Sequence, residues 1–418
     1  MLTRMLGSVK PWQSPDIPQL SSSGRGPDVY CTAVQGPVNA PGKGKVARLY
    51  VCGITPYDST HLGHAATYVA FDVMQRVWRD AGVEVRYVQN ITDIDDPLLE
   101  RAAATGVDWR ELADTEIDRF RGDMEALRVI APDHYIGAVE SMDLVVSAVT
   151  ELLANGYAYR LDNGDVYYRV GASTKPPFGS VSHYDREAMM RLFGERGGDP
   201  DTPGKEDPLD PLLWRAEREG EPSWDGGELG AGRPGWHIEC AAIAGEYLGF
   251  PLTIQGGGND LIFPHHEMCA AHATAMTGEP FADVFMHTGM VGYEGEKMSK
   301  SRGNLVFVSQ LRESGVDPMA VRLCLLAYHY RCDWHYSEDV LEYAQQRLQL
   351  WRRAAESGST LSAAEVIDDV RYDLADDLDT PSALSTLDEW AASVSSEGSR
   401  ADTEEIVTAI DALLGIKL

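Results

Sequence analysis

Two apolar stretches with different periodicity stand next to each other near residue 50. From Val46 to Cys52 the chain is apolar except at Arg48, which is typical of a strand buried on both faces of a parallel sheet. From Leu62 the apolar spacing becomes helical, at Ala66, Val69, Val73 and Val77. This strand, turn and helix predict the first half of a βαβ unit, in which backbone N–H groups at the helix start can face a nucleotide phosphate.

The same two patterns recur along the chain. They predict further strands at 83–92, 251–255 and 284–288, and helices at 97–104, 108–128 and 142–155. Asn163-Gly164 marks a type I′ hairpin turn within 157–169, and this hairpin interrupts the parallel pattern. Ser337 is the predicted N-cap of a helix, and the remainder is helical and polar. The chain is therefore predicted to be an α/β protein.

We divide the chain into five parts. Residues 1–45, rich in Pro with scattered Ser and Gly, form an extended N-terminal arm. A Rossmann-type, parallel-sheet catalytic domain has its first half at 46–130 and its second half at 231–310. A connective insertion separates the halves at 131–230, and a helical C-terminal bundle occupies 311–418. Within the insertion, Glu195-Arg-Gly-Gly-Asp-Pro200 is interpreted from composition as a flexible charged loop.

Composition restricts location and partners. The 418 residues contain no apolar run of about 18, and the first ten lack the apolar core of a signal peptide, so we expect a cytoplasmic protein without a membrane partner. The formal charge is −29. From Ala355 onward, three basic residues face fifteen acidic ones. Since nucleic-acid binding depends on Lys and Arg, we expect no nucleic-acid partner.

Two short motifs carry candidate chemistry. His61 and His64 stand three residues apart at the predicted helix start, with Gly63 leaving room between their rings; a capping or core role is an open alternative. Lys297 and Lys300 lie in Glu296-Lys-Met-Ser-Lys-Ser301. These lysines could meet the charge on a leaving pyrophosphate, or belong to a solvated turn.

The two motifs, in this order and about 230 residues apart, resemble the HIGH and KMSKS motifs of class I aminoacyl-tRNA synthetases. The resemblance implies a Rossmann-type ATP site that activates a carboxylate as its adenylate, with Mg²⁺ accompanying ATP. It also implies that His61, His64, Lys297 and Lys300 are the catalytic residues.

Four widely separated residues could hold a metal: Cys52, Cys240, His265 and Cys269. Thiolates and imidazole suit Zn²⁺, although a buried Cys is usually a small hydrophobe. Their surroundings are similar to motifs of the cysteine-activating branch of the family, which implies one zinc, held by Cys52, Cys240 and His265, that binds the substrate thiol. Cys269 stands where the tRNA enzymes have Glu. We expect it not to coordinate, which leaves an open position.

The resemblance also implies the adenylate site. The residues expected around the cysteinyl-adenylate are Cys52, Gly53, Ile54, Thr55, Thr67, Asn90, Ile91, Thr92, Trp236, Gly258, Asn259, Asp260 and Val291.

Two groups of enzymes share this core: cysteinyl-tRNA synthetases and the cysteine ligases of mycothiol biosynthesis. Ala66, where the tRNA enzymes usually have Arg, and the 195–200 stretch resemble the second group. Its members join L-cysteine to the amine of glucosaminyl-inositol, releasing AMP and pyrophosphate. We expect this activity and a monomeric protein. The alternatives are a cysteinyl-tRNA synthetase and a non-catalytic paralogue that senses ATP or cysteine.

Overall fold

The computed structural model describes residues 9–41, 45–293, 296–297 and 305–418. Its strands are β1 (Asp28–Cys31), β2 (Gly36–Asn39), β3 (Val46–Val51), β4 (Glu84–Ile91), β5 (His134–Gly137), β6 (Ala158–Arg160), β7 (Val166–Tyr168), β8 (Leu212–Ala216), β9 (Gly232–Pro234), β10 (Leu252–Gly258), β11 (Ala282–Thr288), β12 (Val291–Tyr293), β13 (Glu296–Lys297) and β14 (Trp334–Tyr336).

Its α-helices are α1 (Leu62–Asp80), α2 (Asp96–Thr105), α3 (Trp109–Ala126), α4 (Met142–Ala154), α5 (Arg186–Glu195), α6 (Trp236–Leu248), α7 (Glu267–Thr277), α8 (Val308–Glu313), α9 (Pro318–Leu326), α10 (Glu338–Ala355), α11 (Ala363–Ala375), α12 (Thr380–Ser393) and α13 (Arg400–Leu414). Among the helices that the structure describes, none combines the length and the apolar character needed to cross a bilayer.

A five-stranded parallel sheet forms the centre of the protein, in the order β11-β10-β3-β4-β5. The chain runs outward from β3 to β4 and β5, and later returns to the other side of β3 with β10 and β11. The strand order therefore reverses between β3 and β10. In such sheets the ligand crevice lies at the carboxyl ends of the strands beside this reversal, and the predicted α/β class with a Rossmann-type sheet is confirmed.

The central sheet is interrupted by a four-stranded antiparallel sheet, in the order β6-β7-β8-β9. The hairpin predicted at Asn163-Gly164 connects β6 to β7, but its type I′ turn is wrong. That turn needs positive φ at both central residues, and only Gly164 has it, at 92°. Asn163 instead accepts a hydrogen bond from the Asp165 N–H through its side chain, at 3.0 Å.

The boundaries between the two sheets differ from the predicted limits of the insertion, residues 131 and 230. β5, at His134–Gly137, belongs to the central sheet, and β9, at Gly232–Pro234, belongs to the antiparallel one. Residues 28–39 of the N-terminal arm form the hairpin of β1 and β2. The division of the chain into domains stays a prediction.

Helices α9 to α13 form most of the C-terminal region, which also contains the short strand β14; its predicted helical character is confirmed. Ser337 caps α10 as predicted, since its side chain accepts a hydrogen bond from the Val340 N–H. The C-terminal helices pack on α1, which lies between them and the central sheet: α1 contacts β4 and β10 as well as α9 and α13. Helix α1, which begins at the predicted His61 and His64 motif, thus connects that motif to the C-terminal region.

Candidate active site

The carboxyl ends of β3 and β4 are joined to each other just beyond the last strand residues. The Gly53 N–H donates to Asn90 Oδ1 at 2.8 Å, and the Thr92 N–H donates to the Ile54 carbonyl at 3.0 Å. A Cβ on Gly53 would lie 1.7 Å from the Asn90 carbonyl oxygen, so only glycine fits. Five residues expected at the adenylate are therefore brought together here: Gly53, Ile54, Asn90, Ile91 and Thr92. Thr55 follows directly.

His61 and His64 lie side by side at the start of α1. Their rings are stacked with centroids 3.7 Å apart. His61 is the N-cap rather than part of the first turn, because its Nδ1 accepts from the Gly63 N–H at 3.1 Å. The proton of a neutral His61 ring therefore sits on Nε2. A Cβ on Gly63 would lie 2.9 Å from the His61 ring, so glycine is what allows this close approach.

The second motif, at 296–301, is described only at residues 296–297. Val291 begins β12, which pairs with β14 and, through Gly292, with the backbone of Lys297. Lys300 lies outside the described residues. Thr67, on α1, places its Oγ1 2.8 Å from Thr288 Oγ1 at the end of β11, which joins the start of α1 to the sheet.

Three buried residues from separate elements converge beside these strand ends. Cys52 follows β3, Cys240 lies in α6 and His265 lies in the turn before α7, and their ligand atoms are all within 4.8 Å of one another. The two sulfur atoms are 3.9 Å apart. With Zn–S bonds of about 2.3 Å, a tetrahedral site needs sulfurs roughly 3.8 Å apart. The three residues predicted as ligands therefore fit a metal of this kind.

The aromatic surroundings of His265 fix its orientation. The Trp236 ring stacks on it with centroids 4.4 Å apart, and its Nδ1 hydrogen-bonds to His237 Nδ1 at 2.9 Å. Nε2 is thereby left to face the cysteines. Cys269 Sγ lies 3.7 Å from that Nε2 and donates to the His237 carbonyl at 3.3 Å. Trp236, expected at the adenylate, thus borders the metal cluster.

Thiol acidity differs within the cluster. Although burial opposes ionisation, hydrogen bonds from Cys269 and Cys52 hold the pKa of the Cys240 thiol well below its ordinary value. Burial and the bond to Cys240 raise the pKa of the Cys52 thiol. One thiolate is therefore already favoured without an ion, and a cation would favour the second.

A line of hydrogen-bonded side chains, all buried except the half-buried Thr32, continues outward from Cys52. His266 Nε2 lies 3.4 Å from Cys52 Sγ, His266 Nδ1 lies 2.7 Å from His287 Nε2, and His287 Nδ1 lies 2.7 Å from Thr32 Oγ1. Burial lowers the pKa of His287 to about 3, so its ring is neutral at pH 7. When Cys52 is a thiolate, each member must donate toward the sulfur. This support for the ligand includes a residue of the N-terminal arm.

Only part of this hydrogen-bonded line can be predicted from the sequence. Their position directly after His265 in the sequence makes His266 and Glu267 candidates for its support, and His266 belongs to the hydrogen-bonded line. Glu267 instead accepts hydrogen bonds from the backbone N–H groups of Gly179, Val181 and Ser182, at 2.7 to 3.1 Å, and so ties α7 to the insertion. His287 was missed, although a polar residue near the carboxyl end of a predicted parallel strand was an available signal. Thr32 gave none.

The remaining predicted adenylate residues lie where β10 ends. Gly258 is the last strand residue, and Asn259 and Asp260 form the turn that follows. Asn259 Nδ2 donates to Asp333 Oδ1 at 3.2 Å, and Cys52 N–H donates to the Gly256 carbonyl at 3.1 Å. The crevice at the strand reversal is thus bordered by β3, β4 and β10, with the metal cluster and the two histidines at its edges.

Electrostatics at the helix start favour binding of an anion by neutral groups. Burial lowers the pKa of His64 to about 4, so its ring is uncharged at pH 7. Its Nδ1 is buried, and no partner for it is found in the part of the chain that the structure describes. The neutral His64 ring and the Nε2–H of His61, beside the N-terminus of α1, can act as hydrogen-bond donors to phosphate.

The architecture and site define a class I synthetase. Residues 38–346 match the family described as tRNA synthetases class I (C) catalytic domain. The methionyl-tRNA synthetase of Mycobacterium tuberculosis, in complex with methionyl-adenylate, shares the fold with a TM-score of 0.61 at 17% identity, over 88% of this chain and 89% of that one. A protein described as a putative arginyl-tRNA synthetase from Campylobacter jejuni gives a TM-score of 0.53 at 13% identity, over 90% and 94%.

Curated relatives are much more similar. A protein of Streptomyces coelicolor named L-cysteine:1D-myo-inositol 2-amino-2-deoxy-alpha-D-glucopyranoside ligase is 56% identical over 97% of this chain and 99% of its own. A Micrococcus luteus protein of the same name is 55% identical over 98% and 100%. The chain belongs to this family of cysteine ligases within the class I synthetases. It is an ATP-dependent enzyme of the aminoacyl-ligating type, and a cysteinyl-tRNA synthetase is not favoured.

Proposed function

We propose that this protein joins L-cysteine to the amine of glucosaminyl-inositol, through a cysteinyl-adenylate, in mycothiol biosynthesis. The observation that carries the proposal is the position of the buried Cys52, Cys240 and His265 cluster beside the carboxyl ends of β3 and β4. A sulfur held at the cluster places the carboxyl group of the same amino acid at the crevice of the central sheet. The names of the curated relatives support the acceptor.

We propose zinc as the metal of this cluster. When bound, the ion would hold the substrate sulfur as a thiolate, and it would reject serine because a hydroxyl is a poor ligand. Three protein ligands leave the fourth position for that sulfur, so Cys269 stays outside the set. Around the ion, Trp236 orients His265, and the chain from His266 to Thr32 orients Cys52.

In the first chemical step the cysteine carboxylate attacks the α-phosphorus of ATP, which binds with Mg²⁺, and pyrophosphate leaves. The carboxylate is already nucleophilic, so positioning and charge stabilisation supply the acceleration. The His61 and His64 N–H groups, with Lys297 and Lys300, act on the phosphates. Gly258, Asn259, Asp260 and Val291 surround the adenosine, and the glycine-dependent contact between Gly53 and Asn90 shapes the floor of the site.

In the second step the amine of the amino sugar attacks the carbonyl carbon of the mixed anhydride. An amide forms, AMP leaves, and the amine loses its proton. The acidic surface agrees with a small acceptor, because fifteen acidic and three basic residues from Ala355 onward repel a polyanion. We propose a monomer that acts without nucleic acid; its cytoplasmic location stays a prediction.

An acceptor comparison tests the proposal. The purified protein, with zinc, Mg²⁺, ATP and L-cysteine, is assayed for AMP release with glucosaminyl-inositol or with tRNA as acceptor. We expect cysteine-dependent AMP release to rise with the amino sugar and to stay at the background rate with tRNA. Stimulation by tRNA and not by the amino sugar would contradict the proposal. Cysteine-dependent ATP–pyrophosphate exchange without acceptor, with none for serine, would separately test the adenylate step.

A further inference from the structure

Composition predicts a flexible charged loop at Glu195-Arg-Gly-Gly-Asp-Pro200, and the structure has a hydrogen-bonded turn there that continues α5. This turn lies against the 259–266 segment, which carries His265 and two of the residues proposed for adenosine. Arg196 Nη1 donates to the Asp260 carbonyl at 2.6 Å and to the Phe263 carbonyl at 2.5 Å. One half-buried guanidinium therefore bridges both parts of the 259–266 turn.

The two glycines allow this approach. Gly197 has a positive φ of 85°, a conformation that side chains rarely adopt. A Cβ on Gly198 would lie 2.5 Å from the Phe193 ring, and the Gly198 N–H donates to the Phe193 carbonyl at 2.8 Å. The chain thus folds back tightly over Phe193, which directs Arg196 away from the insertion and toward Asp260.

Asp199 holds the base of the same turn. It accepts hydrogen bonds from the Tyr167 hydroxyl, from Thr202 at 2.9 Å and from the Lys205 ammonium at 3.0 Å. Tyr167 lies in β7, so this carboxylate attaches the turn to the antiparallel sheet. Arg196 is therefore supported by a rigid element rather than by a free loop.

The segment that Arg196 contacts carries two functions of the proposed site. Asn259 and Asp260 precede Phe263, and His265 follows it by two residues. Phe263 has an extended backbone, with φ −141° and ψ 136°, which breaks the helical path, and its ring is fully buried against Phe178 and Tyr184. Because Phe263 is held by both its carbonyl and its ring, displacement of this segment would move the adenosine residues and the metal ligand together.

We propose that Arg196 is a positioning residue for the reaction: it fixes the 259–266 turn so that Asp260 and His265 keep their places relative to each other. The inference rests on the proposed function for its catalytic consequence. It does not require Arg196 to touch ATP, cysteine or the metal. It assigns the 195–200 stretch the role of joining the connective insertion to the catalytic crevice.

Two variants and one control test this role. Arg196→Ala removes both hydrogen bonds. Arg196→Lys keeps the charge on a shorter group without the planar fork. Arg191→Ala, in α5 just before the turn, removes an equal charge from an exposed pair with Glu195 at 3.3 Å. The measurements are kcat/KM for ATP in cysteine-dependent pyrophosphate exchange and the rate at which a chelator removes zinc from the folded protein.

We expect Arg196→Ala to lower kcat/KM for ATP on the order of 10²-fold, as for a displacement of about 1 Å, and to release zinc faster. Arg196→Lys should give a smaller loss of at least about threefold, and Arg191→Ala should stay within about twofold of the parent protein. A purely structural role would lower the unfolding temperature and leave both readouts unchanged, which would overturn the inference. If Arg196→Ala does not fold, parental values for Arg196→Lys would overturn it.

The parent protein separates the two proposals. If it shows no cysteine-dependent exchange, the proposed function fails, and zinc release still tests the positioning of His265. If the parent is active and Arg196→Ala matches it in both measurements, only the role of Arg196 fails.

Discussion

Two buried polar clusters near α1 differ in how far their groups are paired. On the side of α1 facing the C-terminal helices, Asp72 lies between Arg76 and Arg322, and all three side chains are fully buried. At the carboxyl end of β3, the middle strand of the central sheet, Cys52, Cys240 and His265 are also buried. The first cluster is closed by internal partners, whereas the second retains capacity for a ligand.

The two arginines of the first cluster donate hydrogen bonds to backbone carbonyls of other segments and so stabilise the fold. Arg76 donates to the Asp411 carbonyl at 2.8 Å, and Arg322 donates to the Leu414 carbonyl at 2.7 Å and to the Leu127 carbonyl at 2.7 Å. Burial alone would raise the pKa of Asp72, but the charges of Arg322 and Arg76 hold that pKa below its ordinary value. The cluster thereby attaches the end of α13 to α1 and adjoining segments.

Some polar atoms beside the cluster of Cys52, Cys240 and His265 lack internal partners of this kind. Within the described residues, Gln255 Oε1 and Glu239 Oε2, on side chains next to Cys52 and Cys240, are buried and have no hydrogen-bond partner; the same is true of both polar side-chain atoms of Gln75 on α1. A buried polar atom without a partner costs free energy, and most such atoms in proteins are paired. The comparison teaches that burial of polar groups alone does not mark a site; the second cluster differs because its metal-binding side chains bring their ligand atoms within 4.8 Å of one another.

The largest effect should follow from breaking the ligand set. In Cys240→Ala we expect bound zinc to fall from about one per chain to below about 0.1, because only one thiolate and one imidazole remain. Elemental analysis after dialysis against a weak chelator measures the change. Cys332→Ala, which alters an exposed cysteine, is the control and should keep its metal. Full zinc occupancy in Cys240→Ala would remove Cys240 from the set.

Breaking the closed cluster should cost stability and leave metal binding unchanged. Asp72→Asn leaves two buried guanidinium groups without their counter-charge, so we expect the free energy of unfolding to fall by about 3–5 kcal/mol. Urea denaturation measures it, and zinc content should stay at the parental level. The control Glu84→Gln removes an exposed ion pair with Arg86 and should change stability by less than about 0.5 kcal/mol. A loss of zinc in folded Asp72→Asn would contradict the separation of the two clusters.

A smaller effect, on the pH dependence of stability, should distinguish the buried Asp93 from the buried Asp72. Asp93 has no paired arginine among the described residues, unlike Asp72, and it accepts a hydrogen bond from the Val139 N–H at 2.9 Å. Burial raises the pKa of Asp93 to about 7. Because the folded pKa exceeds the unfolded one, its contribution is present below about pH 4 and is lost as pH rises through 7.

Urea unfolding of the parent and Asp93→Asn at pH 5 and pH 8 tests this sign. The variant cannot ionise, so its stability relative to the parent should increase from pH 5 to pH 8 by at most roughly 3 kcal/mol, because the parent loses about 1.4 kcal/mol per pH unit between pH 5 and about pH 7. A difference that stays constant, or that decreases toward pH 8, would show that Asp93 is ionised in the folded protein without penalty.

The elements that short, regular sequence patterns determine could be predicted from the sequence. The apolar run at 46–52 and the helical spacing after Leu62 predicted β3 and α1, and the resemblance singled out the three clustered ligands although 188 residues separate Cys52 from Cys240. Contacts that depend on tertiary packing were not predictable. Thr32 reaches His287 only because the β1–β2 hairpin packs there, and the role of Arg196 depends on two glycines folding the chain over Phe193.

X-ray absorption at the zinc edge tests the central claim most directly, namely that the Cys52, Cys240 and His265 cluster holds the substrate sulfur. For the zinc-loaded protein we predict two sulfur ligands and one imidazole nitrogen from the protein. Addition of L-cysteine should raise the sulfur count to three, and L-serine should leave it at two. Three sulfurs before cysteine is added would place Cys269 in the ligand set, and a sulfur count that does not respond to cysteine would contradict the account.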